Sequence, residues 1–394
     1  MTTMHQTLKP SAAGAACLDA AQRLVPRVRD LAPQIEKDGR LPAELVQAFL
    51  DAGLFHMTLP RDLGGREVDP VTAARVVEVL ATADGSAAWC VMIAQQNLCF
   101  AGLIPADDAR LIWGNGGICC GTANPVGRAV WVTDPEPGYR VSGRWGFASG
   151  SSHATWFVGE SMVFDGDQPR RDAQGNQVSR VMFIPRSEVT VYDTWNTTGL
   201  RGTASNDFSV DDAFVPAGRG FQMLVSQPLH PWALYRALPL IFVGHGAQAL
   251  GLARGAIESG IDISRRKRGW GGVPLTELGR VQSAVAQATA LVDSASEYLY
   301  NSAGALWRSA LAGEDAAALR ARVRLATSNA ATCAVQAVDV MNAAVGTAGV
   351  FAENAIERQF RDVHTAAKHV MIGGMTYEAA GRVILGMEPQ FPFF

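Results

Sequence analysis

The spacing of apolar residues changes twice along this chain of 394 residues, and these changes limit the folds open to it. Up to about residue 117, apolar residues such as Leu45, Phe49 and Ala52 recur at helical spacing. Between about 118 and 225, short apolar runs bounded by Gly, Pro, Asp or Asn are typical of strands. After about 226, long Ala-rich stripes at helical spacing return, from Leu278 to Leu299 and from Leu319 to Met341.

The order of these patterns predicts an α+β, mainly α fold. No helix-length segment separates the predicted strands, so an antiparallel sheet or small barrel is favoured over βαβ units. The small side chains of the later helices favour close packing in an antiparallel bundle. We therefore predict an N-terminal helical domain (1–117), a middle antiparallel β-domain (118–225) and a C-terminal four-helix bundle (226–394).

Charge and composition exclude several classes of partner. Net charge is -3, from 34 basic and 37 acidic residues, so there is no basic excess for nucleic acid. The longest apolar run is interrupted by His245, Gln248 and Arg254, which argues against a membrane span. No signal peptide precedes the first helix. Six cysteines without metal or disulfide spacing indicate a reduced, cytoplasmic protein without a bound metal.

Short motifs for common chemistries are absent or weak. The sequence contains no HExxH, CxxC, Walker or Gly-x-Ser-x-Gly motif. The segment 244–249 superficially matches a dinucleotide fingerprint, but no strand leads into it, so we interpret it as helix packing. Ser152 and His153 are neighbours in sequence, and neighbours rarely form a catalytic pair.

Two segments carry stronger signals. In the first, Phe147 and Ser149 are two residues apart on a predicted strand, so one face would offer a flat aromatic surface and a hydroxyl group. In the second, a helix-like segment from Arg361 ends at His369, whose side chain titrates near neutral pH and suits proton transfer. A structural role for this lone histidine is the alternative. His153 and His364 remain open between site and structural roles.

These segments, in this order, resemble the acyl-CoA dehydrogenase superfamily over roughly residues 18–385. The resemblance is carried by Gly121–Pro125, Phe147–Gly150, Gly199–Ser205, Asp212–Pro216, Arg265–Gly269, Gly346–Gly349 and the pair Arg361-Asp362. It implies a reduced flavin cofactor, with FADH2 favoured over FMNH2 but the choice between them left open. The cofactor-binding residues that it implies are Thr122, Phe147, Ala148, Ser149, Arg201, Arg265, Arg268, Gly346 and Gly349.

One departure from the family pattern changes the expected chemistry. Dehydrogenases of this family commonly carry a catalytic Glu shortly after the Arg-Asp pair, where this chain has Val370 preceded by His369. A histidine here, and the segment Asp84–Trp89, resemble the group D oxygenase components of two-component flavin monooxygenases. Such proteins take reduced flavin from a separate NAD(P)H:flavin reductase and form a C4a-hydroperoxyflavin with O2. Where several members carry another histidine, this chain has Asn97.

The resemblance implies hydroxylation of an aromatic substrate, phenol- or indole-like and in some cases polycyclic. His369 and Ser149 would be catalytic, and a homotetramer, or else a dimer, would form. The substrate-binding residues would be Trp89, Met92, Asn97, Trp145, His369 and Tyr377. Alternatives are a dehydrogenase with a displaced base, an N- or S-oxidising enzyme of the same fold, and a non-catalytic scaffold that binds no flavin.

Overall fold

The computed structural model describes residues 8–134, 136–314, 316–391 and 394. Residues 1–7 of the first predicted domain, and Pro392 and Phe393 of the C-terminal tail, lie outside the described residues. Helices occupy both ends of the described chain and strands occupy its middle. The helices are α1 (Ala12–Asp38), α2 (Ala43–Asp51), α3 (Pro70–Ala81), α4 (Gly85–Asn97), α5 (Ala106–Trp113), α6 (Val243–Arg266), α7 (Gly279–Leu311), α8 (Ala317–Val345), α9 (Ala355–Ala366) and α10 (Gly374–Ile384).

Aspartate side chains cap the N-terminal ends of helices α3 and α4. The Asp69 carboxylate accepts a hydrogen bond from Thr72 N (2.9 Å) at the start of α3, and Asp84 accepts one from Ala87 N (2.8 Å) at the start of α4. Each cap satisfies a backbone donor that the helix leaves free. Helix α4 is buried on almost every side, so the side chain of Trp89 is held by its surroundings.

The middle of the chain forms one mixed, mostly antiparallel sheet. Its strands are β1 (Cys119–Val132), β2 (Gly138–Ala148), β3 (Trp156–Asp165), β4 (Gln168–Pro169), β5 (Ser179–Pro185), β6 (Thr190–Tyr192), β7 (Asn206–Pro216) and β8 (Gly220–Phe221). The order is β6-β7-β2-β1-β3-β5-β8, with β4 paired to β3. Only the β1–β3 pair is parallel among the described pairings, because residues 149–155 carry the chain from β2 to the far side of β1.

Long helices α6, α7 and α8 form the core of the C-terminal bundle. The predicted stripes are buried there: Ala288 and Leu299 of α7, and Val323 and Ala330 of α8, are inaccessible to solvent. Alanine at these positions allows close approach of the helix backbones. The predicted α+β, mainly α fold is confirmed.

Two helical segments of the bundle are long and apolar enough to cross a membrane, namely 238–266 and 317–350. Composition alone therefore does not argue against a span, contrary to our sequence interpretation. In the first segment 78% of the most apolar window is buried inside the protein, and in the second 44%. Such burial is expected of core helices in a bundle.

Candidate active site

Four separate parts of the chain meet around the indole ring of Trp89 on α4. Trp89 Nε1 donates a hydrogen bond to Ser149 Oγ (3.0 Å), just beyond β2. The edge-on rings of His245, near the start of α6, and His369, between α9 and α10, lie 5.2 Å and 5.7 Å from the indole centroid. The structure thus brings together three predicted site residues, Trp89, Ser149 and His369, and adds His245.

His245 and His369 form a stacked pair, with ring centroids 4.2 Å apart and an interplanar angle of 26°. The Gln96 amide nitrogen lies 2.6 Å from His245 Nε2, so this ring nitrogen accepts and the ring proton is on Nδ1. His369 Nδ1 accepts from Met371 N (3.3 Å), which leaves the proton on its Nε2. His369 begins a short 3-10 turn, and α9 has already ended at Ala366, so the predicted helical position is wrong.

Burial keeps both imidazoles neutral. It lowers the pKa of His369 to about 4 and the pKa of His245 well below the usual value for histidine. The nearby Arg324 charge, and for His245 also His369, lower these pKa values further. At neutral pH each ring therefore has one N–H donor and one acceptor nitrogen.

A chain of hydroxyl groups extends from Ser149 through Ser205 to Thr203, and its hydrogen bonds all run in one direction. Thr203 Oγ1 donates to Leu200 O (2.9 Å), so it accepts from Ser205 Oγ (2.7 Å). Ser205 has then used its proton, so Ser149 Oγ donates to Ser205 Oγ (2.7 Å) while accepting from Trp89 Nε1. This direction leaves Ser149 with a free lone pair but no free proton.

Phe147 and Ser149 do not share a strand face, contrary to the prediction. The β2–β7 register shifts between Trp145 and Ala148, and Phe147 adopts φ +63°. This irregularity turns the Phe147 ring outward, where it is 74% exposed beside Trp195 (6.1 Å between centroids), whereas Ser149 is only 7% exposed. The Ala148 methyl group points into the sheet core, so it offers no side-chain contact to a cofactor.

Trp145 belongs to the core of the sheet, and its assignment as a substrate contact stays a prediction. It is 1% exposed and stacks on Phe208 (5.1 Å, 17°). Its Nε1 donates to Glu160 O (2.8 Å). Glycines on the same strand (Gly143) and on β3 (Gly159) leave room for the indole, since an added Cβ would lie within 3 Å of it.

Of the other predicted substrate residues, only Met92 lies beside a residue of this site. Met92 is buried against Gly244, beside His245. The Asn97 amide donates to Ile93 O (3.0 Å) and Cys119 O (3.4 Å), so its donors are engaged within the protein. The Tyr377 hydroxyl lies 3.3 Å from Thr332 Oγ1 on α8 and is partly exposed.

Comparison with known proteins identifies the family. The model of the acyl-CoA dehydrogenase N-terminal domain matches residues 15–105, and that of the C-terminal domain matches residues 243–373. Together they cover more than half of the chain. The chain belongs to the acyl-CoA dehydrogenase superfamily.

Within this superfamily, its relatives are flavin-dependent monooxygenases. The indole-3-acetate monooxygenase of Pseudomonas putida is 28% identical over 382 residues, 94% of each chain. The oxygenase component of the FADH(2)-dependent resorcinol hydroxylase of a Rhizobium species is 28% identical and aligns over 93% of this chain and 95% of its own. The crystal structure of the HsaA monooxygenase from Mycobacterium tuberculosis superposes with a TM-score of 0.86, 27% identity and coverage of 97% and 100%. The predicted class, a reduced-flavin-dependent monooxygenase of the acyl-CoA dehydrogenase fold, is confirmed.

The flavin residues implied by the superfamily resemblance fall into two groups. In the first group, Ser149 contacts Trp89, Phe147 lies two residues earlier with its ring turned outward, and Thr122 is on β1 next to a register shift. The outward Phe147 ring and the Ser149 lone pair fit a flat heterocycle with an N–H donor. Arg201 is instead engaged with Glu36 (3.4 Å) and Thr197 O (3.0 Å).

The second group lies at the other end of α6. Arg265 is exposed at the C-terminal end of this helix, and Arg268 follows in the next loop. Lys267 Nζ contacts Thr347 Oγ1 (2.9 Å), which joins this loop to the turn containing Gly346 (φ +60°) and Gly349. About 20 residues of continuous helix separate His245 from Arg265, or roughly 30 Å. The fold of a single chain therefore does not bring the two groups of flavin residues close together.

Sequence reasoning missed three residues that the structure places in or beside this candidate site: His245, Ser205 and Arg324. His245 lies in the segment 244–249, which we had correctly interpreted as helical but treated only as packing. Its signal was a histidine among small residues at the start of a buried helix. Ser205 lay within Gly199–Ser205, one of the segments that resemble the superfamily. Arg324 had no signal in the sequence beyond its place in an Ala-rich stripe. The described ranges contain no group of three His, Cys, Asp or Glu side chains suited to a metal ion.

Proposed function

We propose that this oxygenase component hydroxylates a phenol- or indole-like aromatic substrate with reduced flavin and O2. Bound reduced flavin would supply the two electrons with which O2 is activated, and the balanced reaction is ArH + O2 + FADH2 → ArOH + H2O + FAD. The observation that carries the proposal is the neutral pair His245–His369 packed on Trp89, at the place where dehydrogenases of the superfamily carry a carboxylate.

The same pair argues against a dehydrogenase with a displaced base. Such an enzyme would need a carboxylate on a neighbouring helix, directed at the same reacting centre. Here the α6 side chain that stacks on His369 is not a carboxylate but His245, and burial lowers the pKa of both imidazole rings. Removal of a carbon-bound proton needs a strong, correctly placed base. Two weakly basic, neutral imidazoles suit hydrogen bonding to oxygen better.

Each residue of the site then has a physical role. His369 Nε2–H would hold a reactive oxygen atom by a hydrogen bond, and His245 Nδ1–H, which has no partner among the described residues, is a second donor of the pair. Trp89 supplies a rigid apolar wall that excludes water and contacts an aromatic ring. Ser149 would accept a hydrogen bond from the reduced flavin N5–H through its free lone pair.

FADH2 is the cofactor that we propose, in preference to FMNH2. The relative from Rhizobium is named for dependence on FADH(2). The basic loop with Arg265 and Arg268, and the adjoining turn at Gly346, offer donors and backbone groups for the diphosphate and adenosine end. A separate NAD(P)H:flavin reductase would deliver the reduced flavin.

The distance between the two groups of flavin residues supports a homo-oligomer, a tetramer or else a dimer. A single FAD cannot reach across roughly 30 Å of α6, so we propose that the basic loop serves the flavin of a partner copy. Large apolar side chains exposed on the C-terminal part of a single chain are consistent with such contacts. They include Trp270, Val350, Phe351, Ile384, Leu385 and Met387.

We propose a cytoplasmic location. All six cysteines are free thiols, and five of them are buried. Burial raises the pKa of Cys90, Cys99, Cys119 and Cys120 above the usual range, which keeps them protonated and unreactive. A reducing compartment suits a protein with this pattern.

Rapid mixing with oxygen tests the proposed function. The protein is saturated anaerobically with FADH2 or FMNH2 and then mixed with oxygenated buffer while absorbance is followed. We expect a transient flavin–oxygen adduct before oxidised flavin appears, with FADH2 bound more tightly than FMNH2. Tight retention of oxidised FAD that an acyl-CoA reduces would establish the dehydrogenase instead, and no binding of any flavin would establish a scaffold. Oxidation of an amine or thioether, but not of a phenol or indole, would favour the N- or S-oxidising alternative.

The direction of the hydroxyl chain predicts a preference for reduced flavin. Because Ser149 can accept but not donate, it suits the N5–H of reduced flavin and not the bare N5 of oxidised flavin. We expect Ser149→Ala to weaken FADH2 binding about 3- to 10-fold while changing FAD binding little. Anaerobic and aerobic flavin titrations measure both. The matched variant Ser152→Ala, at an exposed neighbouring serine, should behave like wild type. An equal loss of affinity for both redox states would contradict the assigned direction.

A further inference from the structure

The guanidinium of Arg324, on α8, is buried without a carboxylate partner. Its side chain is 0% exposed, and among the described residues Nε and Nη1 have no hydrogen-bond partner. Nη2 makes a single long contact, 3.5 Å to Thr376 Oγ1. The rings of Phe242 (4.7 Å) and Phe391 (5.5 Å) lie against the charge. Aromatic faces offset only part of the cost of burying a cation, so donors remain for an anion.

Arg324 borders the proposed active site. The Phe242 ring lies parallel to that of His245, with centroids 6.4 Å apart and an angle of 15°. Thr376 Oγ1, which Arg324 contacts, also donates to Met371 O in the turn that begins at His369. The positive charge of Arg324 contributes to the lowered pKa of both histidines, as expected of a near neighbour.

The position of Arg324 separates it from the proposed flavin contact. Ser149 bonds to the Nε1 edge of Trp89, whereas Arg324 lies beyond the rings of His245 and Phe242. An aromatic ring held against Trp89 and the histidine pair could extend a short side chain toward the guanidinium. A carboxylate at the end of that side chain would accept charge-assisted hydrogen bonds from Nε or Nη1.

We propose that Arg324 recognises a carboxylate on the aromatic substrate, so that the substrate class is aryl-alkanoic acids. The inference rests on the proposed function for its aromatic ring. The guanidinium–carboxylate contact would fix which ring position faces His369 and would reject neutral analogues, because these leave the buried charge unpaired. A phenolate oxygen could supply the same negative charge, and the test separates the two sources.

Paired ligands test this proposal without turnover. Dissociation constants are measured for phenylacetate against phenylacetamide and for indole-3-acetate against indole-3-acetamide. Each titration is done anaerobically, with and without saturating FADH2, on wild type, Arg324→Met and Arg324→Lys. The matched control is Arg322→Met, since Arg322 is exposed on the opposite side of the same helix and lies over Tyr298 (5.7 Å).

We expect wild type and Arg322→Met to bind at least one acid about 10- to 100-fold more tightly than its amide. In Arg324→Met this ratio should fall to about 1 with amide affinity retained, and Arg324→Lys should keep part of it. Equal affinities for acid and amide in wild type, or no saturable acid binding, would overturn the proposal even if the Met variant fails to fold. Arg324-dependent binding of resorcinol without acid binding would assign the charge to a phenolate and also overturn it.

These titrations and the oxygen-mixing experiment fail independently. An oxygen adduct without any acid preference would refute the role of Arg324 and leave the oxygenase function intact. An acid preference without an adduct would refute the oxygenase function and leave a binding site for aryl acids.

Discussion

We expect the His369→Ala variant to form product about 100-fold or more slowly than wild type, while its affinity for reduced flavin changes little. His369 carries its ring proton on Nε2 and packs on Trp89 in the proposed site, and removing a positioned proton-transfer or hydrogen-bonding group typically costs 10²–10⁴-fold. Flavin consumption should continue, so hydrogen peroxide would replace product. Product and peroxide are measured in parallel in single turnovers, and flavin affinity in anaerobic titrations.

His364→Ala is the matched control for this variant. His364 is on α9, five residues earlier, and its Nε2 contacts Asp339 Oδ1 (2.8 Å) rather than Trp89. It should retain the wild-type ratio of product to peroxide. Unchanged coupling in His369→Ala would remove the histidine from the mechanism.

The pH profile provides a second check on His369. Burial and Arg324 lower its pKa to about 4, so the ring stays neutral from pH 8 down to about pH 5 and protonates only below that. The His369-dependent part of the coupling ratio should therefore be flat across this range and fall toward pH 4. A transition centred near pH 6.5 would show that the imidazole titrates like a solvated one.

The fold was predictable because its signals are local and repeated. The stripe from Val281 to Leu299 repeats over several helical turns, so one irregular residue does not change the interpretation. The strands between 118 and 221 are likewise bounded by turn residues. The parallel pairing of β1 and β3 was not predictable, since it depends on where residues 149–155 cross the sheet.

The site was harder to predict because it depends on single residues where regular structure ends. Strand alternation placed Phe147 and Ser149 on one face, but a register shift and a positive φ at Phe147 separate them. His369 was expected on a helix that stops three residues earlier. The pairing with His245 joins residues more than a hundred positions apart and follows only from tertiary packing.

Trp145 and Trp89 illustrate the same difficulty of prediction, because each tryptophan lies in or beside a segment that resembles a known family. Trp145 lies on the inward face of β2 together with Tyr139 and Val141, but the strand pattern alone did not say which face is the core. Trp89 is on α4, whose buried surface includes the face that meets His369. Solvent exposure does not distinguish the two tryptophans, because both are almost inaccessible. Their neighbours distinguish them. Trp145 packs on Phe208 and bonds to Glu160, whereas Trp89 packs on a pair of histidines.

We therefore expect Trp145→Ala to lower the free energy of unfolding by about 3–5 kcal/mol, the usual loss for a large aromatic side chain removed from a core. The indole fills the space between glycine-bearing strands, stacks on Phe208 and satisfies Glu160 O, and all three contributions are lost. Urea unfolding followed by circular dichroism measures the change. Trp145→Phe, which keeps a ring on Phe208, should lose less. If Trp145→Ala unfolds like wild type but binds the aromatic substrate more weakly, the side chain lines the substrate site after all, and the sheet core must be formed without it.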